Sequence, residues 1–155
     1  MSRRPSRPCR LALAAALFST SPLAAGAEVI AGPVPAEVIR VVDGDTLALR
    51  ARVWIGLEVT VNARIRGIDA PERNGKCARE KALAETARLR LAAAAGDGKV
   101  RLTRIENDKY AGRVIADIVT DAGTDLAEAM LASGLVRAYD GGTRDPWCGV
   151  ASLDG

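Results

Sequence analysis

The chain has 155 residues, 48% of them hydrophobic and 26% charged, a globular balance that suits one cored domain and is too short for two ordinary ones. Histidine is absent, which excludes Ser-His-Asp and Cys-His nucleophile systems, histidine general bases and zinc sites built on imidazole. The formal net charge of +3 points to a polyanion partner only until the charges are placed along the chain.

Residues 1–27 hold Arg3, Arg4, Arg7 and Arg10 with no acid, then an apolar run from Leu11 to Phe18, then Ala25-Gly26-Ala27 just before Glu28. This is the basic, apolar and small-residue order of a secretory signal peptide, and the run is well short of the roughly 20 residues a membrane span needs. Export to the periplasm or the medium is expected, with no stable membrane span. Residues 28–155 then carry 18 basic against 19 acidic side chains. The basicity belongs to the leader, so any hold on nucleic acid must come from a local patch. Cys77 and Cys148 are the two cysteines left after the leader. An even pair in an exported chain predicts a disulfide between them.

Residues 28–35 contain a glycine and two prolines and read as an irregular leader to a domain over 36–148, with a tail over 149–155. Glu37 to Val42 reads as a strand, and Asp43-Gly44 as a tight turn. Thr46 to Val53 alternates as a second strand. A third runs from about Leu57 to Arg66, with Val59, Val61, Ala63 and Ile65 on one face and Thr60, Asn62, Arg64 and Arg66 on the other. After a loop at Gly67-Ile68-Asp69-Ala70-Pro71-Glu72, strong helix formers extend from about Cys77 to Ala95. Leu83, Ala87, Leu91 and Ala94 form their apolar stripe, and Gly96 is the stop. Val100–Ile105 and Gly112–Thr120 read as strands. Thr124 or Asp125 caps a helix from Leu126 to Ala132 that stops at Gly134. No exposed apolar stripe calls for a partner, so a monomer is expected. The order βββ-α-ββ-α is compatible with a small five-stranded barrel with helices outside, of which the OB-fold is one.

Each polar cluster by itself has an ordinary explanation. Asp43-Gly44-Asp45-Thr46 is a hairpin turn, Asp69-Ala70-Pro71-Glu72 a surface turn, and Arg64 and Arg66 a solvated strand face. Their combination is more specific. The segments Val42–Thr46, Arg64–Glu72, Asp108–Ala116 and Asp125–Leu131, in this order between about Glu37 and Tyr139, resemble the staphylococcal nuclease-like (thermonuclease) family. The resemblance implies a mainly β fold with flanking helices, a five-stranded OB-type barrel. It also implies that Asp45, Asp69 and the Ala70 carbonyl ligate Ca²⁺. Glu72 would be the general base for an attacking water, and Arg64 and Arg113 would grip the scissile phosphate. Lys109, Tyr110 and Tyr139 would contact substrate. The implied activity is calcium-dependent hydrolysis of DNA and RNA, with little sequence preference and 3′-phosphate products. A near-neutral domain favours single-stranded DNA or RNA that fits a local groove.

This assignment makes chemical sense. Three carboxylates repel a phosphodiester unless a cation intervenes, hard oxygen donors suit Ca²⁺, and two guanidiniums can hold a phosphate bidentately. The alternative is an OB module that binds oligonucleotides or another anionic ligand without cutting. Two departures from the family pattern stand out. One extra residue at Ala111-Gly112 precedes Arg113, and the chain lacks a long terminal helix.

Overall fold

The computed structural model describes residues 28–148, so the expected signal peptide and the tail over 149–155 lie outside the described residues. Strands β1 (Val29–Ile30), β2 (Val34–Asp43), β3 (Thr46–Trp54), β4 (Leu57–Ile65) and β5 (Ile68–Asp69) precede helix α1 (Ala78–Ala95). Then come β6 (Lys99–Asn107), β7 (Arg113–Thr120), helix α2 (Leu126–Ala132) and β8 (Arg137–Ala138).

The main sheet runs β1-β6-β2-β3-β4-β7, and an antiparallel β6–β7 pairing closes it. The result is a closed five-stranded barrel, β2-β3-β4-β7-β6, in which only β4 and β7 are parallel. Closure removes the exposed sheet edges that an open sheet of this size must protect. The chain has the expected mainly β, OB-like barrel with two helices. Leu47, Leu49, Ile65, Val100, Leu102 and Ile118 fill its interior, and Leu91, Leu126 and Met130 bring the helices onto the same core.

Four expectations are corrected. The stretch 28–35 is not irregular: Val29 and Ile30 pair with Glu106 and Ile105, and β2 already begins at Val34. Gly32 makes that turn possible, because a Cβ there would lie 2.4 Å from the Leu102 carbonyl oxygen. The buried stripe of α1 is Glu80, Ala84, Ala87, Leu91 and Ala95. It keeps Ala87 and Leu91 of the expected stripe but takes Glu80, Ala84 and Ala95 in place of Leu83 and Ala94, because loop N–H groups hold the Glu80 carboxylate inside. On β4 only Ala63, Arg64 and Ile65 are buried, and Val59 on the expected inner face is exposed. Finally, the β3–β4 hairpin tip leaves Trp54 73% and Ile55 92% exposed beside Leu57, so the expectation of no exposed apolar stripe does not extend to this tip.

Asp43-Gly44 does form the expected turn, but glycine is needed there for closeness. A Cβ on Gly44 would stand 2.6 Å from the Ala87 Cβ of α1 and 3.0 Å from the Ala70 Cβ. Gly44→Ala is therefore expected to push the turn off the helix and cost about 1–3 kcal/mol, the range for overpacking a filled interior. An unchanged urea midpoint would show that the turn has room to move.

Candidate functional site

The site grows from strand register. Thr46 pairs with Arg64 across β3 and β4, and the Ile65 N–H donates to the Asp45 carbonyl at 2.8 Å. Across the parallel β4–β7 seam, Asn62 pairs with Arg113 and Arg64 with Ile115. Two-residue periodicity then places Arg64 and Arg113 on one face of the barrel wall. The extra residue before Arg113 is absorbed in the loop: β7 starts at Arg113, and the Asp108 N–H donates to its carbonyl at 3.0 Å.

Arg64 is the hub. Its Nη1 lies 2.9 Å from Asp45 Oδ2, and its Nη2 donates to the Ile68 carbonyl at 3.0 Å and to Asp69 Oδ1 at 3.3 Å. All three side chains are buried. Asp45 Oδ2 also accepts from the Ala70 N–H at 3.2 Å, and Asp45 Oδ1 from the Thr46 hydroxyl at 2.7 Å. Buried charges need this density of partners, because removing one leaves the others desolvated and unpaired. Arg64 is thus not the solvated residue that its strand segment alone suggests. Arg66 turns to a different group, pairing with Glu106 at 2.6 Å.

Asp43, Asp45, Arg64, Ala70, Glu72, Tyr110 and Arg113 line one cleft of about 250 Å³. Burial, and next the charge of Asp45, push the Asp43 carboxyl above its ordinary value, with partial relief from Arg73. Asp108 goes the other way. Burial would raise its carboxyl, but the hydrogen bond and charge of Arg113 outweigh burial and hold it below the usual value. The Arg113 guanidinium also stands 4.6 Å from the Tyr110 ring centre, with Lys109 Nζ at 5.2 Å from that ring. Tyr139 packs behind Arg64, its ring centre 5.7 Å from the guanidinium. Its hydroxyl donates to the Gly142 carbonyl at 2.9 Å.

The disulfide joins Cys77 to Cys148, with Cα atoms 6.1 Å apart. It draws the tail across the 69–77 loop, where two residues that the motifs did not mark enter the site. Arg144 Nε lies 3.1 Å from Asp69 Oδ1, and its Nη1 donates to Glu72 Oε1 at 2.9 Å. The Trp147 indole N–H donates to Asp69 Oδ2 at 3.1 Å. The cysteine pair was the available signal, since bridging Cys77 obliges Arg144 and Trp147 to lie near Glu72. Glu80 is a third such residue. From the third position of α1, its buried carboxylate accepts from the N–H groups of Glu72 at 3.3 Å and Lys76 at 3.0 Å. An acid at that helix position is a capping signal, but here it reaches past the cap into the loop.

Asp45 and Asp69 both pair with Arg64, and with the Ala70 carbonyl they would make an all-oxygen donor set, a chemistry that fits a hard divalent cation. The other cluster of ligand-type residues among those described, Cys77, Glu80 and Cys148, has both sulfurs in the disulfide and offers no thiolate.

No helix among the described residues is long and apolar enough to cross a membrane. No curated protein matches the chain. The family model described as staphylococcal nuclease homologue matches residues 62–146, a span that includes Arg64, Asp69, Glu72 and Arg113 and starts beyond Asp45. With that match over more than half its length and a closed OB-like barrel beneath it, the chain belongs to the staphylococcal nuclease homologue family.

Proposed function

We propose that this protein is an exported, calcium-dependent nuclease that hydrolyses phosphodiester bonds in single-stranded DNA and RNA. The observation that carries the reading is the convergence of Asp45, Arg64, Ala70, Glu72 and Arg113 on one cleft from four separate stretches of chain. Glu72 is 64% exposed on its side-chain surface, so water reaches its carboxylate, and in a chain without histidine it is the acceptor for the proton of an attacking water. Buried Pro71 restricts the backbone immediately before it, which narrows where that carboxylate can go. Arg64 and Arg113 both line this cleft; Arg113 would supply N–H donors to the phosphate oxygens on which charge accumulates, and Arg64 would join it where Asp45 and Asp69 turn to a cation. Asp45, Asp69 and the Ala70 carbonyl would hold Ca²⁺, whose chemistry when bound is charge neutralisation and polarisation of a phosphoryl oxygen. The signal-like leader and the disulfide both support an oxidising compartment outside the cytoplasm.

Single-stranded DNA and RNA should be cut in millimolar Ca²⁺ and left intact in chelator. Asp45→Asn and Asp69→Asn should each weaken calorimetric Ca²⁺ binding at least about tenfold, since each removes one of the few charged donors. Asparagine is the right probe, because alanine at either position strips a buried partner from Arg64 and threatens the fold. Full cutting in chelator would end the calcium assignment.

A further inference from the structure

We propose that Arg144 is a third phosphate-binding arginine of this cleft, held on Asp69 and Glu72 in the ligand-free protein and transferred from Glu72 to an incoming phosphodiester. The inference rests on the nuclease reading of the same site.

The three arginines of the cleft differ in what they have left to give. Arg64 has 8% of its side chain exposed, and both terminal nitrogens are committed to Asp45, Asp69 and the Ile68 carbonyl. Arg113 is 23% exposed and its Nε is held by Asp108. Arg144 is the most open at 33%, and one of its two carboxylate partners, Glu72, lies largely in solvent. An ion pair with such a partner is screened and contributes little, whereas two charge-assisted hydrogen bonds from a guanidinium to a phosphate are strong and directional. The exchange is therefore favourable in the direction of substrate binding. It has a second consequence. While Arg144 Nη1 donates to Glu72 Oε1 at 2.9 Å, that oxygen is occupied and the carboxylate is a poorer proton acceptor. A phosphate that takes the guanidinium also uncovers the base, so the carboxylate is released only when there is something to hydrolyse.

Arg144 can play this part because it is tethered. It lies four positions before Cys148, whose bridge to Cys77 keeps the segment at the cleft mouth. Trp147 on Asp69 anchors the same segment, and the Arg144 guanidinium rests 5.5 Å from the Tyr139 ring centre. The guanidinium is thus positioned at the cleft without being sealed in.

The test compares wild type, Arg144→Gln and Arg144→Lys by steady-state cutting of single-stranded DNA in Ca²⁺. The affinity of fluorescein-labelled octathymidylate is then measured on a Glu72→Gln background that does not cut. Arg144→Gln should raise KM and the octathymidylate Kd together by about tenfold, with kcat changed less than about threefold, as expected for loss of a binding contact. Arg144→Lys should recover part of the affinity, since charge is kept and the fork is lost. Retention of the disulfide by mass spectrometry and an unchanged Trp147 emission in a Trp54→Phe background show that the segment is still seated. Unchanged KM and Kd in Arg144→Gln would overturn the proposal while leaving the nuclease reading in place. Faster cutting or tighter binding would overturn it too, and would make Arg144 an autoinhibitory contact. A folded wild type that neither cuts nor binds octathymidylate would overturn the nuclease reading itself.

Discussion

Glu72→Gln should lower kcat for single-stranded DNA by at least about 100-fold while leaving KM within a few-fold of wild type, the signature of a lost proton acceptor rather than a lost binding contact. The substitution keeps the size of the side chain. It also keeps the backbone N–H on which Glu80 holds the loop at 3.3 Å, so beyond the carboxylate only its ion pair with Arg144 changes. The same experiment separates the nuclease from a binding-only barrel. In a barrel that merely holds oligonucleotides, Glu72 would be an acid facing an anion, and removing its charge would tighten binding with no turnover to lose. A variant that cuts at the wild-type rate would place the base elsewhere, and the other carboxylate open to the cleft is Asp43, which burial already pushes toward its neutral form.

Opening the Cys77–Cys148 bridge should cost both stability and activity. The bridge spans a sequence separation of 71 residues, and closing a loop of that size stabilises a fold by about 4 kcal/mol on the chain-entropy model. For a domain of this length the melting temperature should fall on the order of 10–20 °C in the Cys77→Ser, Cys148→Ser double variant. Activity should fall as well at temperatures where the barrel is still folded, because Arg144 and Trp147 reach Asp69 and Glu72 only while the tail is tied to the head of α1. A variant that melts lower yet cuts normally would show that the tail serves stability alone. An unchanged melting temperature would show that packing of the tail, and not the bridge, holds it in place.

The motifs made most of the site legible before any tertiary structure. Alternating strands, a helix ended by Gly96 and a second helix capped by Asp125, which accepts from the Glu128 N–H at 3.0 Å, all stand where local chemistry puts them. Local signals failed wherever a contact came from far along the chain. The pairing of Val29 and Ile30 with β6 has no turn or alternation to announce it, since two residues set no period. The pairing of β5 with β8 joins Asp69 to Arg137 and is likewise invisible in either segment. The buried stripe of α1 includes Glu80, which a hydrophobic pattern assigns to solvent, because that carboxylate is accepted into the interior by loop N–H groups.

The family resemblance implied the barrel, while the sequence by itself determined the order of its five strands and two helices and the identity of the acids and arginines. Those are properties of period, turn chemistry and residue type, all carried within a few neighbours. Only the tertiary structure decided how the charges are used. Arg64 is spent on Asp45 and Asp69 inside the wall, Arg66 faces Glu106 instead of the cleft, and Tyr139 backs arginines with its hydroxyl turned to Gly142. Above all, a disulfide brings Arg144 to Glu72 across 72 positions of sequence. The physical reason is that a charge takes its meaning from its partners and its solvent, and both are fixed only when distant segments meet.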